Sequence, residues 1–300
     1  SGVSSVAYFM ARLHISWEDA KLLSHHGKKE PILGHILQHE KTILLLGKKE
    51  DTSDICTMLC QKGLGNMKVV LGENLSYDTE KITEATAEAL QNVQTAPLAI
   101  LYIENKAYLQ KKRCFGIEDA AFVRGNVPMT KREVRTVVLS YMNLQQYDVV
   151  WDVGAGTGSV SVEMALQCPF GTVYAIEKKK EALSLLEKNK QKWHCHHMEL
   201  VAGAAPEVLK PLPAPDKVFI GGSSGTAKEV MKMALQKNPN VHIVATAIAI
   251  ETVRDLEQCF SELDMDWQCT QMTVAKSEAV GKYHMMKGQN PIWIYQGRKK

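Results

Sequence analysis

Apolar positions in this chain fall into short runs separated by amphipathic stretches, and the rhythm changes near residue 110. In the first part, residues 7–13 and 17–23 read as short amphipathic stretches. Residues 42–46 form an apolar, strand-like run ending at Gly47. Residues 52–62 then place Ile55, Met58 and Leu59 at helical spacing, and Gly63 and Gly65 stop the helix. Residues 68–71 predict a second strand, 82–90 a helix, and 98–103 a third, fully buried strand. Residues 104–113 are polar, without a period and rich in lysine and arginine, which places a domain boundary there.

The second part alternates more regularly. Residues 147–153, 172–176, 199–201, 217–220 and 241–247 are apolar runs suited to parallel strands buried on both faces. Helical patterns at 159–166, 179–192, 226–236 and 251–263 separate several of them, which predicts a doubly wound sheet. Two strand-like segments, 267–275 and 292–295, close the chain with no helix between them and should therefore pair antiparallel.

Three hundred residues suffice for two domains, placed at 1–110 and 115–300. No apolar run approaches the roughly 20 residues that a membrane span requires, so the expected location is cytoplasmic and away from membranes. The seven cysteines are scattered with no CxxC pair, which argues for reduced thiols and against structural zinc. A net charge of +3 without interleaved aromatics gives no reason to expect a nucleic-acid partner. The chain opens without methionine or an initial strand, as though in the middle of a larger fold.

The strongest local chemistry follows the strand at 149–153. It feeds Gly154-Ala155-Gly156-Thr157-Gly158, and a helix begins at Ser159. Glycines there allow positive φ and let a ligand approach the backbone, while the helix start offers free N–H groups. The spacing is GxGxG; serine stands at 159, where the dinucleotide fingerprint needs its third glycine. Asp152, ahead of the loop, suits a ligand with a charged amino group better than a pyrophosphate. A second strand ends in Glu177, placed to accept hydrogen bonds from ribose hydroxyls. The combination points to S-adenosyl-L-methionine, with a nicotinamide site or an ordinary tight turn as the alternatives.

Around this loop lie Gly116-Ile117-Glu118-Asp119, Pro128-Met129-Thr130-Lys131-Arg132-Glu133-Val134-Arg135, Ala205-Pro206-Glu207, Val218-Phe219-Ile220-Gly221-Gly222-Ser223 and Tyr283-His284-Met285 ahead of Asn290-Pro291. Together with the loop they resemble the decarboxylating precorrin methyltransferases of cobalamin synthesis, over essentially all of residues 115–296. That resemblance implies an α/β, Rossmann-like class I methyltransferase domain with a mostly parallel sheet and an antiparallel last strand. It implies methylation of a tetrapyrrole at carbon 15, with loss of carboxylate from the ring C acetate. It assigns the cofactor to Pro128, Thr130, Asp152, Gly154, Gly156, Thr157, Gly158, Glu177, Gly203, Ala204, Ala205 and Gly221. Substrate carboxylates fall to Arg124, Lys131, Arg132 and Arg135, with Gly222 and Ser223 beside them, since lysine and arginine make charge-assisted bonds. Tyr283 and His284 are the catalytic candidates, histidine being able to move a proton near neutral pH. Ala204 stands where the family usually has aspartate, and Thr246-Ala247-Ile248-Ala249 replaces its Asn-Ala-Val-Thr stretch. The resemblance also implies a homo-oligomer, a tetramer through this domain.

The first part resembles the carboxy-terminal lobe of a tetrapyrrole methylase, the carbon-5 enzyme of the same pathway. Gly2-Val3-Ser4-Ser5-Val6, Ser24-His25-His26-Gly27, Gly63-Leu64-Gly65 and Gly72-Glu73-Asn74-Leu75 carry the likeness. Because the methylase's first lobe is missing, one methyl transfer at carbon 15 and none at carbon 5 is the expectation. The cluster His194-Cys195-His196-His197 lies in a connection without a further ligand motif and is read as packing, not metal binding. Cys56 and Cys60 are read as packed thiols, and Lys178-Lys179-Lys180 as a solvated helix start. Two other readings stay open: a methyltransferase acting on RNA, protein or another small molecule, and a cofactor-poor scaffold.

Overall fold

Runs of β-branched and large aliphatic residues become the central strands of two sheets, one in each of two units, Ser1–Lys112 and Arg113–Lys300. The computed structural model describes residues 4–25, 31–108, 115–222 and 225–299. Gly2, Val3, His26, Gly27 and Ser223, singled out above, lie outside the described residues.

The first unit runs α1 (Ser5–Arg12), β1 (Lys21–Ser24), α2 (Ile32–Gln38), β2 (Lys41–Leu46), α3 (Asp51–Gln61), β3 (Lys68–Glu73), β4 (Lys81–Thr86) and β5 (Ala99–Glu104). Its sheet has the order β1-β2-β5-β3-β4, with β1 and β2 parallel and every other pair antiparallel. One face takes Val6, Phe9 and Met10 of α1 against Ile43, Val70, Ile100 and Tyr102. The helix expected at 82–90 is not formed, and the amphipathic stretch at 17–23 ends in extended form. Residues 17–23 give the end of a loop and the start of β1, and most of 82–90 is the edge strand β4 with a single 3-10 turn at Glu88–Leu90. Pairing with β3 decides β4: Ile82 and Thr86 lie opposite Gly72 and Lys68, and this outweighs the helix-favouring Glu and Ala content. Cys56 is buried in α3, and burial pushes its thiol up to about 12.

The second unit runs α4 (Arg132–Met142), β6 (Val149–Val153), α5 (Ser159–Gln167), β7 (Thr172–Glu177), α6 (Lys180–Lys192), β8 (Met198–Ala202), β9 (Lys217–Ile220), α7 (Ala227–Lys237), β10 (His242–Ala247), α8 (Ile250–Glu262), β11 (Met265–Met272), β12 (Ala275–Val280), β13 (Tyr283–Gly288) and β14 (Ile292–Lys299). The main sheet has the order β11-β14-β10-β9-β6-β7-β8. Strands β8, β7, β6, β9 and β10 are parallel, and β14 runs antiparallel to both β10 and β11. This is a Rossmann-like α/β sheet, with the reversed last strand that the two closing segments predict.

Successive residues of the central strands enter two different cores, as the two-residue period of a strand demands. Val150, Val173 and Phe219 pack with Val138, Leu139, Val162 and Leu186 of α4, α5 and α6. Trp151, Ile176, Val218 and Ile243 pack with Val230, Met231, Leu256 and Phe260 of α7 and α8. The sheet is therefore covered on both faces, and its free surface is the line of strand ends. The pair β12 and β13 forms a separate hairpin whose residues are all exposed. The strand pattern at 267–275 does not anticipate it.

Candidate active site

The carboxyl ends of β6, β7, β8, β9 and β10 open into one cavity of about 970 Å³. In open α/β sheets this is the edge where ligands bind, because the βα loops leave a crevice there. Pro128, Thr130, Lys131, Asp152, Gly154, Gly156, Thr157, Glu177, Gly203, Ala204, Ala205, Gly221 and Gly222 all line it.

The glycine loop is shaped by its bonds to β7. The N–H groups of Gly154 and Ala155 both donate to the Ile176 carbonyl at 3.0 Å, and Gly156 N–H donates to Glu177 Oε2 at 2.9 Å. Gly154 and Gly156 have φ of +82° and +57°. A Cβ on Gly154 would stand 2.5 Å from the Gly222 carbonyl oxygen, and one on Gly156 would stand 3.3 Å from the Pro128 carbonyl oxygen. Glycine is thus required by conformation and by close backbone approach at once. Gly158, with φ +79°, precedes α5 and packs on Leu186 instead of lining the cavity.

Two carboxylates flank the glycine loop where it meets the cavity. Asp152 is fully buried and accepts a hydrogen bond from the Ser161 hydroxyl, while its Oδ1 has no partner among the described residues. Burial pushes the Asp152 carboxyl up to about 7; the Ser161 bond opposes this and the nearby Glu177 charge adds to it. Glu177 accepts at Oε1 from the Lys178 and Lys179 N–H groups, at 2.8 and 2.9 Å. The Thr157 hydroxyl is buried and also has no partner among the described residues. Unpaired buried acceptors cost stability and persist where a ligand completes them. A ligand carrying an ammonium and a vicinal diol fits this set. Ala204 lines the cavity but brings no acid to it.

The expectation that Arg135 holds a substrate carboxylate fails. Its side chain is buried and ion-paired with Glu163 at 2.5 Å and Asp119 at 3.3 Å, and it does not line the cavity. Arg132 pairs with Glu118 on the surface, and Arg124 is exposed; neither lines the cavity. A lone charge at a helix start or in an exposed turn is free to pair with local acids, and Arg132 does so. Tyr283 and His284 sit on the exposed β12–β13 hairpin and do not line the cavity. Of the basic candidates, only Lys131 does.

The far side of the cavity includes Thr226, Thr246, Ile248, Gln289 and Asn290, none of them among the site candidates above. Asn290 had a signal in the Asn290-Pro291 motif, and Ile248 in the altered stretch around it. Lys178 and Lys179 border the cavity as well, although both are exposed. In the His194–His197 cluster, the buried His197 ring lies 2.8 Å from the Ala165 carbonyl, and Cys195 packs in the core.

With this geometry in view, the precorrin methyltransferase domain model matches residues 120–299. The chain belongs to that family. Among family relatives, a protein of Pyrobaculum calidifontis named as a probable cobalt-precorrin-6B C(15)-methyltransferase (decarboxylating) is 41% identical over 182 residues, which are 60% of this chain and 93% of that one. A crystal structure of a precorrin-6y C5,15-methyltransferase from Geobacter metallireducens superposes with a TM-score of 0.60 at 33% identity, over 64% of this chain and 100% of that chain. An S-adenosylmethionine-dependent O-methyltransferase of Thermotoga maritima, 12% identical, shares the fold with a TM-score of 0.51, over 79% of this chain and 94% of that chain.

Proposed function

We propose that this precorrin methyltransferase uses S-adenosyl-L-methionine to methylate carbon 15 of a precorrin or cobalt-precorrin and to release the ring C acetate carboxyl as carbon dioxide. One observation carries the reading: the buried Asp152, with a free oxygen, and Glu177 flank a glycine loop that opens into a cavity large enough for two ligands. Asp152 would take the cofactor ammonium and Glu177 the ribose hydroxyls, while the glycine backbone admits the ligand closely. When bound, the cofactor supplies an electrophilic methyl group on sulfur. Lys131 and the lysines at the β7 end would hold substrate carboxylates, while Thr246, Gln289 and Asn290 offer neutral contacts on the opposite wall. The chain's task is orientation and exclusion of water, because an in-line displacement gains most from holding its reactants close. The electron-rich meso carbon forms the new carbon–carbon bond as the sulfur–methyl bond breaks and sulfur keeps the pair. In the decarboxylation, the pair of the cleaved bond passes into the conjugated ring and a proton replaces the lost carboxyl.

We also read residues 1–110 as the carboxy-terminal lobe of a tetrapyrrole methylase; Gly63-Leu64-Gly65, Gly72-Glu73-Asn74-Leu75 and the mixed β1–β5 sheet support this. The resemblance of residues 115–296 to the precorrin methyltransferases supports a homo-oligomer formed through that domain. No helix among the described residues is long and apolar enough to cross a membrane. Titration calorimetry tests the cofactor half: S-adenosylhomocysteine should bind and NAD should not. Carbon NMR of product made with a labelled methyl donor tests the substrate half, with the label expected on carbon 15. Label found on nitrogen, oxygen or another carbon would refute it.

A further inference from the structure

The segment 116–131 brings residues 127–131 to the cavity beside the glycine loop, yet apart from a 3-10 turn at Asp119–Ala121 it has no regular structure of its own. Its backbone polar groups must find partners elsewhere. They find them in buried side chains on three helices. At one end, Glu163 of α5 accepts from the N–H groups of Gly116 at 2.7 Å and Ile117 at 3.2 Å. Arg135 of α4 neutralises Glu163 and donates to the carbonyls of Ile117 at 2.5 Å and Thr130 at 2.6 Å. Asp119 then bridges the Arg135 guanidinium and the Arg132 N–H that opens α4. In the middle, Asn189 of α6 closes a two-way clasp on Val123. Its Oδ1 accepts from Val123 N–H at 2.7 Å, and its Nδ2 donates to Val123 O and to Thr157 O, each at 2.9 Å.

Thr157 belongs to the glycine loop, and Thr130 and Pro128 line the same cavity. The two anchors therefore bracket the stretch 127–131, which lies so close to the loop that a Cβ on Gly156 would nearly touch the Pro128 carbonyl. Arg135, Glu163 and Asn189 are almost wholly buried, and none lines the cavity. Leaving any one of these groups buried without its partners is expensive, so the geometry of the clasp is strongly determined.

We infer that Arg135, Glu163 and Asn189 are positioning residues that fix the 127–131 strap over the glycine loop, setting cofactor affinity through the strap and touching no ligand themselves. This rests on the cofactor reading above. A purely structural role would lower global stability and leave the strap as ordered as the rest of the domain at temperatures well below unfolding.

The test compares the whole chain with Asn189→Ala and with Asp119→Asn, a milder change at a partly exposed site. Amide hydrogen exchange is followed along 116–131 and along β6 and β10, and S-adenosylhomocysteine affinity is measured by calorimetry. Exchange should quicken selectively in 116–131, and affinity should fall about tenfold in Asn189→Ala and a few-fold in Asp119→Asn, in step with the lost exchange protection. If Asn189→Ala does not fold, Asp119→Asn decides. A folded variant with a fully protected strap, or a loosened strap with wild-type affinity, would overturn the proposal. Failure of the wild-type chain to bind S-adenosylhomocysteine would instead refute the cofactor reading, while the exchange data would still judge the clasp.

Discussion

Gly154→Ala isolates the steric claim at the centre of the site. At φ +82°, any side chain pays the left-handed penalty of about 1–2 kcal/mol. The added Cβ would also meet the Gly222 oxygen at 2.5 Å and its nitrogen at 2.9 Å. Both are backbone atoms that cannot rotate away, so β6 and the turn after β9 must separate, at a further cost of about 1–3 kcal/mol. Gly281→Ala is the internal control. It lies in the same unit with φ +60° and nothing within 4 Å, so it carries only the conformational penalty. Denaturant titration should therefore place Gly154→Ala below Gly281→Ala by about 1–3 kcal/mol. Calorimetry should show S-adenosylhomocysteine binding lost in the first and unchanged in the second. If the two variants matched in stability and binding, the close approach of Gly154 to Gly222 would be refuted as the reason for glycine there.

Asp152 gives a pH signature. Its folded pKa of about 7 lies above the ordinary carboxyl range, so between about 4 and about 7 the folded state holds more protons than the unfolded one. Asp152 therefore favours folding most at low pH, and its contribution is lost as pH rises through about 7; Asp152→Asn should flatten that slope in urea midpoints measured across pH, and an unchanged slope would remove Asp152 as its source. Glu177→Gln should weaken S-adenosylhomocysteine binding less than Glu177→Ala, because the amide keeps one acceptor; each bond lost from the ionised group should cost about 1.5–3 kcal/mol, and equal small effects would move the ribose contact elsewhere. Arg135→Ala leaves Glu163 buried and unpaired and should destabilise the domain by about 3–5 kcal/mol in denaturant titration; a loss under 1 kcal/mol would contradict that pairing. His284→Ala, on an exposed hairpin, should leave cofactor affinity at the wild-type level in calorimetry, and a loss would bring that hairpin into the site.

Much of the fold and the glycine-loop side of the cavity was legible because each signal was local. The buried strand, three spaced glycines and the acid ending the next strand lie within 149–177, and chain geometry alone brings them to one edge. The helix α4 was less visible. Its β-branched run Thr136-Val137-Val138 masks a helical spacing that Val134, Val138 and Met142 do carry in their burial. Arg135 misled for a different reason: its partner Glu163 lies 28 residues away, and no local pattern marks an arginine as buried. The hairpin at 275–288 has no buried residue, so no hydrophobic alternation announces it. Lys131 and Arg132 are adjacent in sequence, yet only one faces the cavity, a division made by the start of α4.

If one cavity binds a methyl donor beside a tetrapyrrole, the product must be both methylated and decarboxylated. Incubation of the chain with S-adenosylmethionine and a purified precorrin or cobalt-precorrin intermediate, followed by mass analysis, tests it most directly. The expected product has gained one methyl group and lost one carbon dioxide, with one S-adenosylhomocysteine formed per product. An unchanged tetrapyrrole, or a methylated product that keeps every carboxyl group, would contradict it.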